Sequence, residues 1–214
     1  MSIKAVIFDL DGVIVSTDDY HYRAWKVMAD EEGIYFDKTI NERLRGVSRM
    51  ESLEIILEKA DKEYTNEEKN QMAEKKNSLY RELLNELTHN DILPGVMKVL
   101  EDLKAKNIKI AIGSSSKNTP MILGKIGLKD YFDAVADGND IKNSKPDPEV
   151  FLLAARKVGM EAKECLVVED ADAGVDAALA GSMKVLAVGY ASINPKADYK
   201  FKDLSLVDVK EVLC

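Results

Sequence analysis

Four places in the chain carry side chains able to do chemistry on a charged substrate, and each follows or neighbours a short apolar run. The first is Asp9-Leu10-Asp11-Gly12, after Ala5-Val6-Ile7-Phe8; the second is Ser114-Ser115-Ser116-Lys117-Asn118, after Ile108 to Ile112. Lys145 precedes Pro146, and Glu169-Asp170 follow Leu166-Val167-Val168. Ionised carboxylates from separate segments share a small volume only if positive charge sits among them. A divalent cation with oxygen ligands supplies it, and magnesium shares its shell readily with carboxylates, water and phosphate. The expected ligands are Asp9, Asp11, Glu169 and Asp170. With a phosphate as substrate, Asp9 is the candidate nucleophile that forms an acyl phosphate. Asp11 is the candidate for moving a proton on and off the reacting oxygen. Ser114 and Lys145 are the candidates for holding the phosphoryl oxygens, and Gly12 lets the backbone turn closely. A lone strand-end aspartate more often caps a helix or turn; the joint pattern argues for chemistry.

Side chains so far apart in sequence meet only if the runs before them lie side by side. The runs at 5–8, 108–112, 166–168 and 185–188 read as buried strands. Helical patterns lie between them, at Val96-Val99-Leu100-Leu103, Phe151-Ala154-Ala155-Val158 and Val175-Ala178-Leu179. This alternation predicts an α/β fold with a Rossmann-like parallel-sheet core, and ligands at such a sheet sit beyond the carboxyl ends of the strands. The stretch 16–93 has helical periodicity only, too long for a loop. It reads as an inserted all-helical cap domain, leaving 1–15 and 94–214 as the catalytic core. Ser48-Arg49-Met50-Glu51 and Thr65-Asn66-Glu67-Glu68 fit capping boxes, and Leu53, Ile56, Leu57 and Ala60 form one buried stripe.

Composition narrows the partners. With 30 basic and 38 acidic residues among 214, the net charge of -8 opposes nucleic acid. Cys165 and Cys214 offer neither a disulfide framework nor a metal cluster. The apolar run ended by Asp9 is too short for a signal peptide or a membrane span, so no membrane partner and a cytoplasmic location are expected. Without an exposed heptad repeat, a monomer is expected.

Asp9-Leu10-Asp11-Gly12, Ser114, Lys145-Pro146 and Glu169-Asp170 together resemble the four motifs of the haloacid dehalogenase superfamily. That resemblance implies a phosphoaspartate intermediate and a cap inserted after the first motif. Tyr20 to Trp25, the run Arg45-Gly46-Val47-Ser48-Arg49, the Lys75-Lys76-Asn77 stretch and Ser114 to Asn118 resemble the β-phosphoglucomutase family within it. That resemblance implies interconversion of β-glucose 1-phosphate and 6-phosphate through the 1,6-bisphosphate, with a sugar-phosphate phosphatase as the alternative. It also implies substrate contacts at His21, Trp25, Gly46, Val47, Arg49, Lys76, Ser115, Ser116, Lys117 and Asn118.

Several of these residues have a second reading from the residues alone. Arg49, at the first position of a capped helix, opposes the helix dipole and suits a phosphate shared with helix amides; otherwise it is a solvated arginine. Lys76 shares a face with Met72, Leu79 and Leu83, and either snorkels to water or faces a cleft. His21 starts a helix and either faces solvent or meets substrate. Trp25 is the only tryptophan and either packs a core or borders the sugar. Asn118 caps the next helix, binds phosphate, or both. Ser16, Gly113 and Ala171 depart from the commonest family pattern, and the core is expected to lack a terminal helix.

Overall fold

The structure is a computed structural model and describes residues 2–213; Met1 and Cys214 lie outside the described residues. The chain enters along β1 (Ala5–Phe8), leaves the sheet for four helices, α1 (Asp18–Glu31), α2 (Lys38–Glu42), α3 (Arg49–Leu57) and α4 (Asn66–Leu83), and returns through α5 (Val96–Ala105). The rest alternates: β2 (Lys109–Gly113), α6 (Thr119–Lys125), β3 (Ala134–Ala136), α7 (Glu149–Lys157), β4 (Cys165–Glu169), α8 (Asp172–Ala180), β5 (Lys184–Ala187), β6 (Tyr199–Lys200) and α9 (Val209–Val212).

The six strands run parallel in the order β3-β2-β1-β4-β5-β6. β1 lies at the centre, with Ala5 paired to Lys109 on one side and to Cys165 on the other. The chain builds outward from β1 through β2 to β3, then crosses back to β4 on the other side of β1, and this reversal of strand order opens a crevice at the strand ends. Both faces are covered, as a parallel sheet requires. Val6, Phe8, Ile110, Ile112, Leu166 and Val168 pack with residues of α5, α6 and α9. Ala5, Ile7, Ala111, Cys165, Val167 and Val185 pack with α7 and α8 on the other face.

The inserted helices have a core of their own, built from Trp25, Met28, Ile34, Phe36, Leu53, Ile56 and Met72. Both expected capping boxes form: Ser48 with Glu51, and Thr65 with Glu68. The chain leaves and re-enters the sheet domain through two adjacent strands of backbone, with Leu93 N donating to Ile14 O at 2.9 Å and an antiparallel bridge between Val15 and Ile92.

In its elements the structure differs from the sequence reading in three places, and it settles a fourth reading, that of Lys76, which the residues left open. β3 and β6 were not among the expected strands; at three and two residues they are too short to show a periodicity. α3 ends at Leu57, so Ala60 is not on its buried stripe, and Leu57 itself is only half-buried. A terminal helix is present: α9 is a single turn whose buried Val209 and Val212 join the core on the α5 face of the sheet. Lys76 does not snorkel, because its side chain is buried inside the molecule.

Candidate active site

β1 ends in Phe8, and the next residue, Asp9, is held by its amide, which donates to Val168 O at 2.9 Å. Beside it, β4 delivers Glu169 and Asp170. Oxygens of Asp9, Glu169 and Asp170 lie within 4.8 Å of one another, and all three residues are buried. The close approach depends on two glycines. A Cβ on Gly12, whose φ is +81°, would stand 2.0 Å from Asp170 Oδ2, and one on Gly174 would stand 2.0 Å from the Glu169 carboxylate. No side chain fits at either position.

One cation offsets this cluster directly. Lys145 Nζ donates to Asp9 Oδ1 at 2.6 Å and to Glu169 Oε1 at 2.5 Å. Burial disfavours its charge, but the two carboxylates outweigh burial and hold its pKa above the ordinary lysine value. Glu169 also accepts from the amides of Asp170 and Ala171 at 2.9 and 3.1 Å. The carboxyls of Glu169 and Asp170 are both pushed up, first by burial and then by neighbouring negative charge, for Asp170 that of Glu169 and for Glu169 that of Asp9. Three buried acids against Lys145 and the more distant Arg45, which Asp170 shares with Asp18, leave net negative charge at the site. A divalent cation fits that donor set.

Asp11 does not belong to the three-carboxylate group. The sequence pattern expects it among four ligands, but its side chain turns to Thr17, whose hydroxyl donates to Asp11 Oδ1. Burial first, then the Asp9 charge, raises its pKa to about 7, against the Thr17 hydrogen bond. Sequence reasoning overlooked Thr17 because it precedes α1 and resembles a helix cap. It makes no side-chain cap; its hydroxyl is spent on Asp11. On the far side of β1, Ser114 follows β2 and is buried, and its Oγ accepts from Ser116 N at 3.1 Å.

The strand ends and the inserted helices face each other across a cavity of about 540 Å³. Its lining includes Asp9, Asp11, Ser114, Lys145 and Asp170 from the sheet side and His21, Trp25, Gly46, Val47, Arg49 and Lys76 from the helical side. Ser115, Ser116, Lys117 and Asn118 complete it. Glu169 lies behind, wholly buried. All the residues expected at the site from the sequence are thus at the cavity or directly beneath it.

The helical side of the cavity is cationic, with Arg49 from α3 and Lys76 from α4. Lys76 Nζ lies 2.8 Å from His21 Nδ1 and 4.7 and 4.5 Å from the Trp25 and Tyr80 rings. An ammonium can only donate, so Nδ1 accepts and the imidazole is neutral. In agreement, burial and then the Lys76 charge hold the His21 pKa well below its ordinary value. Burial and the Arg49 charge likewise lower that of Lys76. Among the described residues, Arg49 forms an ion pair with the exposed Glu74, at 3.3 Å. Trp25 serves two purposes: it is 2% exposed within the helical core and also borders the cavity. Asn118 makes no side-chain cap at α6. Its Nδ2 donates instead to Asn77 Oδ1 at 3.0 Å, across the cleft. Asn77 was not among the expected site residues, although it lies in the Lys75-Lys76-Asn77 stretch that carries part of the family resemblance.

A central parallel sheet, an aspartate at the end of its first strand, a lysine paired to it and an acid cluster on the neighbouring strand fit the class of aspartate-centred phosphoryl-transfer proteins. Residues 3–181 match the family model described as haloacid dehalogenase-like hydrolase, and the chain belongs to that family. It is 46% identical over 189 residues to a β-phosphoglucomutase of Bacillus subtilis, covering 87% of this chain and 84% of that one. A phosphorylated carbohydrates phosphatase of Thermotoga maritima is 32% identical over 215 residues, with 99% and 97% covered. The crystal structure of a β-phosphoglucomutase from Clostridium difficile superposes with a TM-score of 0.93 at 44% identity, covering 98% of this chain and 95% of that one.

Proposed function

We propose that this chain is a phosphomutase that interconverts β-D-glucose 1-phosphate and β-D-glucose 6-phosphate through a phosphoaspartate on Asp9 and a β-glucose 1,6-bisphosphate. One observation carries the reading: a single cavity brings the Asp9 cluster together with Arg49, Lys76 and Lys117. A substrate with two phosphates needs both an acceptor for one group and cations for the other, and the lining supplies both. The likeness to the Bacillus and Clostridium mutases supports the same substrate.

The first half-reaction starts from phosphorylated Asp9. The C6 hydroxyl of glucose 1-phosphate attacks phosphorus, the phosphorus–Asp9 oxygen bond breaks, and Asp11 takes the hydroxyl proton. The bisphosphate then turns end for end. In the second half, an Asp9 oxygen attacks the C1 phosphoryl group, the bond from phosphorus to the C1 oxygen breaks, and Asp11 returns the proton to that oxygen. A carboxyl titrating at about 7 suits both directions near neutrality. Ser114 and Lys145 hold the transferring oxygens. Arg49, Ser116, Lys117 and Asn118 hold the distal phosphate, Arg49 at the N-terminus of α3 where the helix amides assist. His21, Trp25, Gly46, Val47, Lys76 and Ser115 border the sugar. Asp9, Glu169 and Asp170 hold the cation, with Asp11 as a fourth candidate; magnesium is the assignment. When bound, it offsets repulsion between the Asp9 carboxylate and the phosphoryl oxygens. Residues 16–93 act as the cap, 1–15 and 94–214 as the catalytic core, and the working form is a monomer in the cytoplasm.

The same core becomes a sugar-phosphate phosphatase when water reaches the acyl phosphate, and the Thermotoga relative bears a phosphatase name. The experiment supplies β-glucose 1-phosphate, magnesium and a trace of the bisphosphate, and follows glucose 6-phosphate against inorganic phosphate. Glucose 6-phosphate is the expected main product. Phosphate released one for one with substrate consumed overturns the mutase reading in favour of the hydrolase.

A further inference from the structure

Tyr190 belongs to no motif recognised in the sequence, yet it stands at the rim of the acidic end. It lies in the 3-10 turn Gly189–Ile193 after β5, and Ala191 N donates to Asp170 O at 2.9 Å, which ties that turn to the site. The ring is 58% exposed. One face is covered by the guanidinium of Arg45, whose central carbon is 3.8 Å from the ring centroid. Arg45 comes from the opposite side of the cleft, in the loop between α2 and α3. It donates to Asp18 Oδ2, and its Nη1 lies 3.9 Å from Asp170 Oδ2. Its buried Nε has no acceptor among the protein atoms. Hydrogen bonds in the guanidinium plane therefore leave the group incompletely held, and the ring face supplies the remaining contact.

The contact extends along the loop. Gly46, next to Arg45, has φ +72°, and a Cβ there would stand 3.0 Å from the Cβ of Ala171. The helical side thus presses on the residue following Asp170 at the point where Arg45 meets Tyr190. We propose that Tyr190 is a positioning residue: its ring clasps Arg45, holds the loop 45–47 against the sheet side, and keeps water away from Asp9. The benefit to transfer rests on the mutase reading; the clasp itself does not.

The test compares the parent with Tyr190→Ala and Tyr190→Phe. Replacing the ring by a methyl group removes a cation–π contact whose strength corresponds to on the order of tenfold in the closed population. Tyr190→Ala is expected to raise KM for the sugar phosphate and to raise phosphate released per mutase turnover by about that factor. Its kcat should change far less, because the ring touches no reacting atom. Tyr190→Phe keeps the ring face and should match the parent in both. A second readout needs no turnover: Trp25, the only tryptophan, borders the cleft, and its quenching by acrylamide in the ligand-free protein should increase in Tyr190→Ala alone. Unchanged partition and quenching in Tyr190→Ala would overturn the clasp, as would a Tyr190→Phe variant that behaves like Tyr190→Ala. If the parent itself proves a pure phosphatase, the mutase reading falls and the quenching comparison still decides the clasp.

Discussion

Asp9 and Asp11 are two residues apart, and their surroundings divide the labour between them. Asp9 faces Lys145 and the acid cluster; Asp11 faces Thr17. Asp9→Asn removes the nucleophile and should abolish both turnover and the labelling of the protein by bisphosphate. Asp11→Asn keeps the acceptor for phosphorus but not the proton, and should slow turnover by roughly 100- to 10,000-fold with cation affinity largely retained. Rapid-quench kinetics and calorimetric titration of the cation check the pair; full turnover in either variant removes that residue from its role. His21 gives a prediction of opposite kind. Its pKa is held well below the ordinary histidine value by burial and by Lys76, so the unfolded chain binds the proton first as pH falls. The stability from neutral His21 is complete above about pH 6.5 and declines below it, by at most about 1.4 kcal/mol per pH unit and less to the extent that solvent reaches the half-buried ring. Urea unfolding between pH 7 and 5 should show a shallower decline in His21→Asn than in the parent. Parallel curves would mean that His21 is protonated in the folded protein.

Among the elements, α3 ties stability to the site. Ser48 accepts from Glu51 N at 3.3 Å, while the Glu51 carboxylate accepts from Ser48 N at 2.8 Å, and Arg49 is the first residue of the helix so fixed. Ser48→Ala should cost about 1 kcal/mol of stability, and by fraying the first turn it should raise KM more than it lowers kcat. Denaturant titration alongside initial rates checks this; a loss of stability with KM unchanged separates the cap from the distal phosphate. The capping boxes were legible because their signal is local, four residues long and independent of packing. The strands β1, β2, β4 and β5 were legible because each is four or five residues, mostly buried on both faces. β3 and β6 lie nearer or at the sheet margins and are shorter, so nothing in their residues separated them from loops.

At the scale of the whole molecule, a net charge of -8 coexists with a cleft lined by Arg49, Lys76 and Lys117. Part of the negative charge is gathered at the strand ends, where Asp9 and Glu169 pair with Lys145 and Asp170 lies 3.9 Å from Arg45. Removing divalent cations with a chelator should therefore abolish turnover, and magnesium should restore it better than the larger calcium, whose looser shell suits six to eight ligands. The same addition should raise the unfolding temperature, since it relieves repulsion among buried carboxylates. Turnover that survives exhaustive chelation, with no thermal shift on adding magnesium, would remove the cation from the site. No helix among the described residues is long and apolar enough to cross a membrane.

The sequence by itself determined the parallel-sheet core, the helical insertion and the identity of the strand-end side chains, because a buried strand must be apolar and the residue that ends it is read directly. It left open whether Arg49, Lys76, Trp25 and Asn118 face solvent, core or cleft, since a helical face shows which residues align but not what lies opposite. Only the tertiary structure decided those partners: Thr17 with Asp11, Asn77 with Asn118, Lys76 with His21, and Arg45 with Tyr190. Thr17 and Asp11 are six residues apart in one loop; the other three pairs join different segments, two of them where the inserted helices fold back over the sheet, and no spacing along one chain encodes an approach made through space.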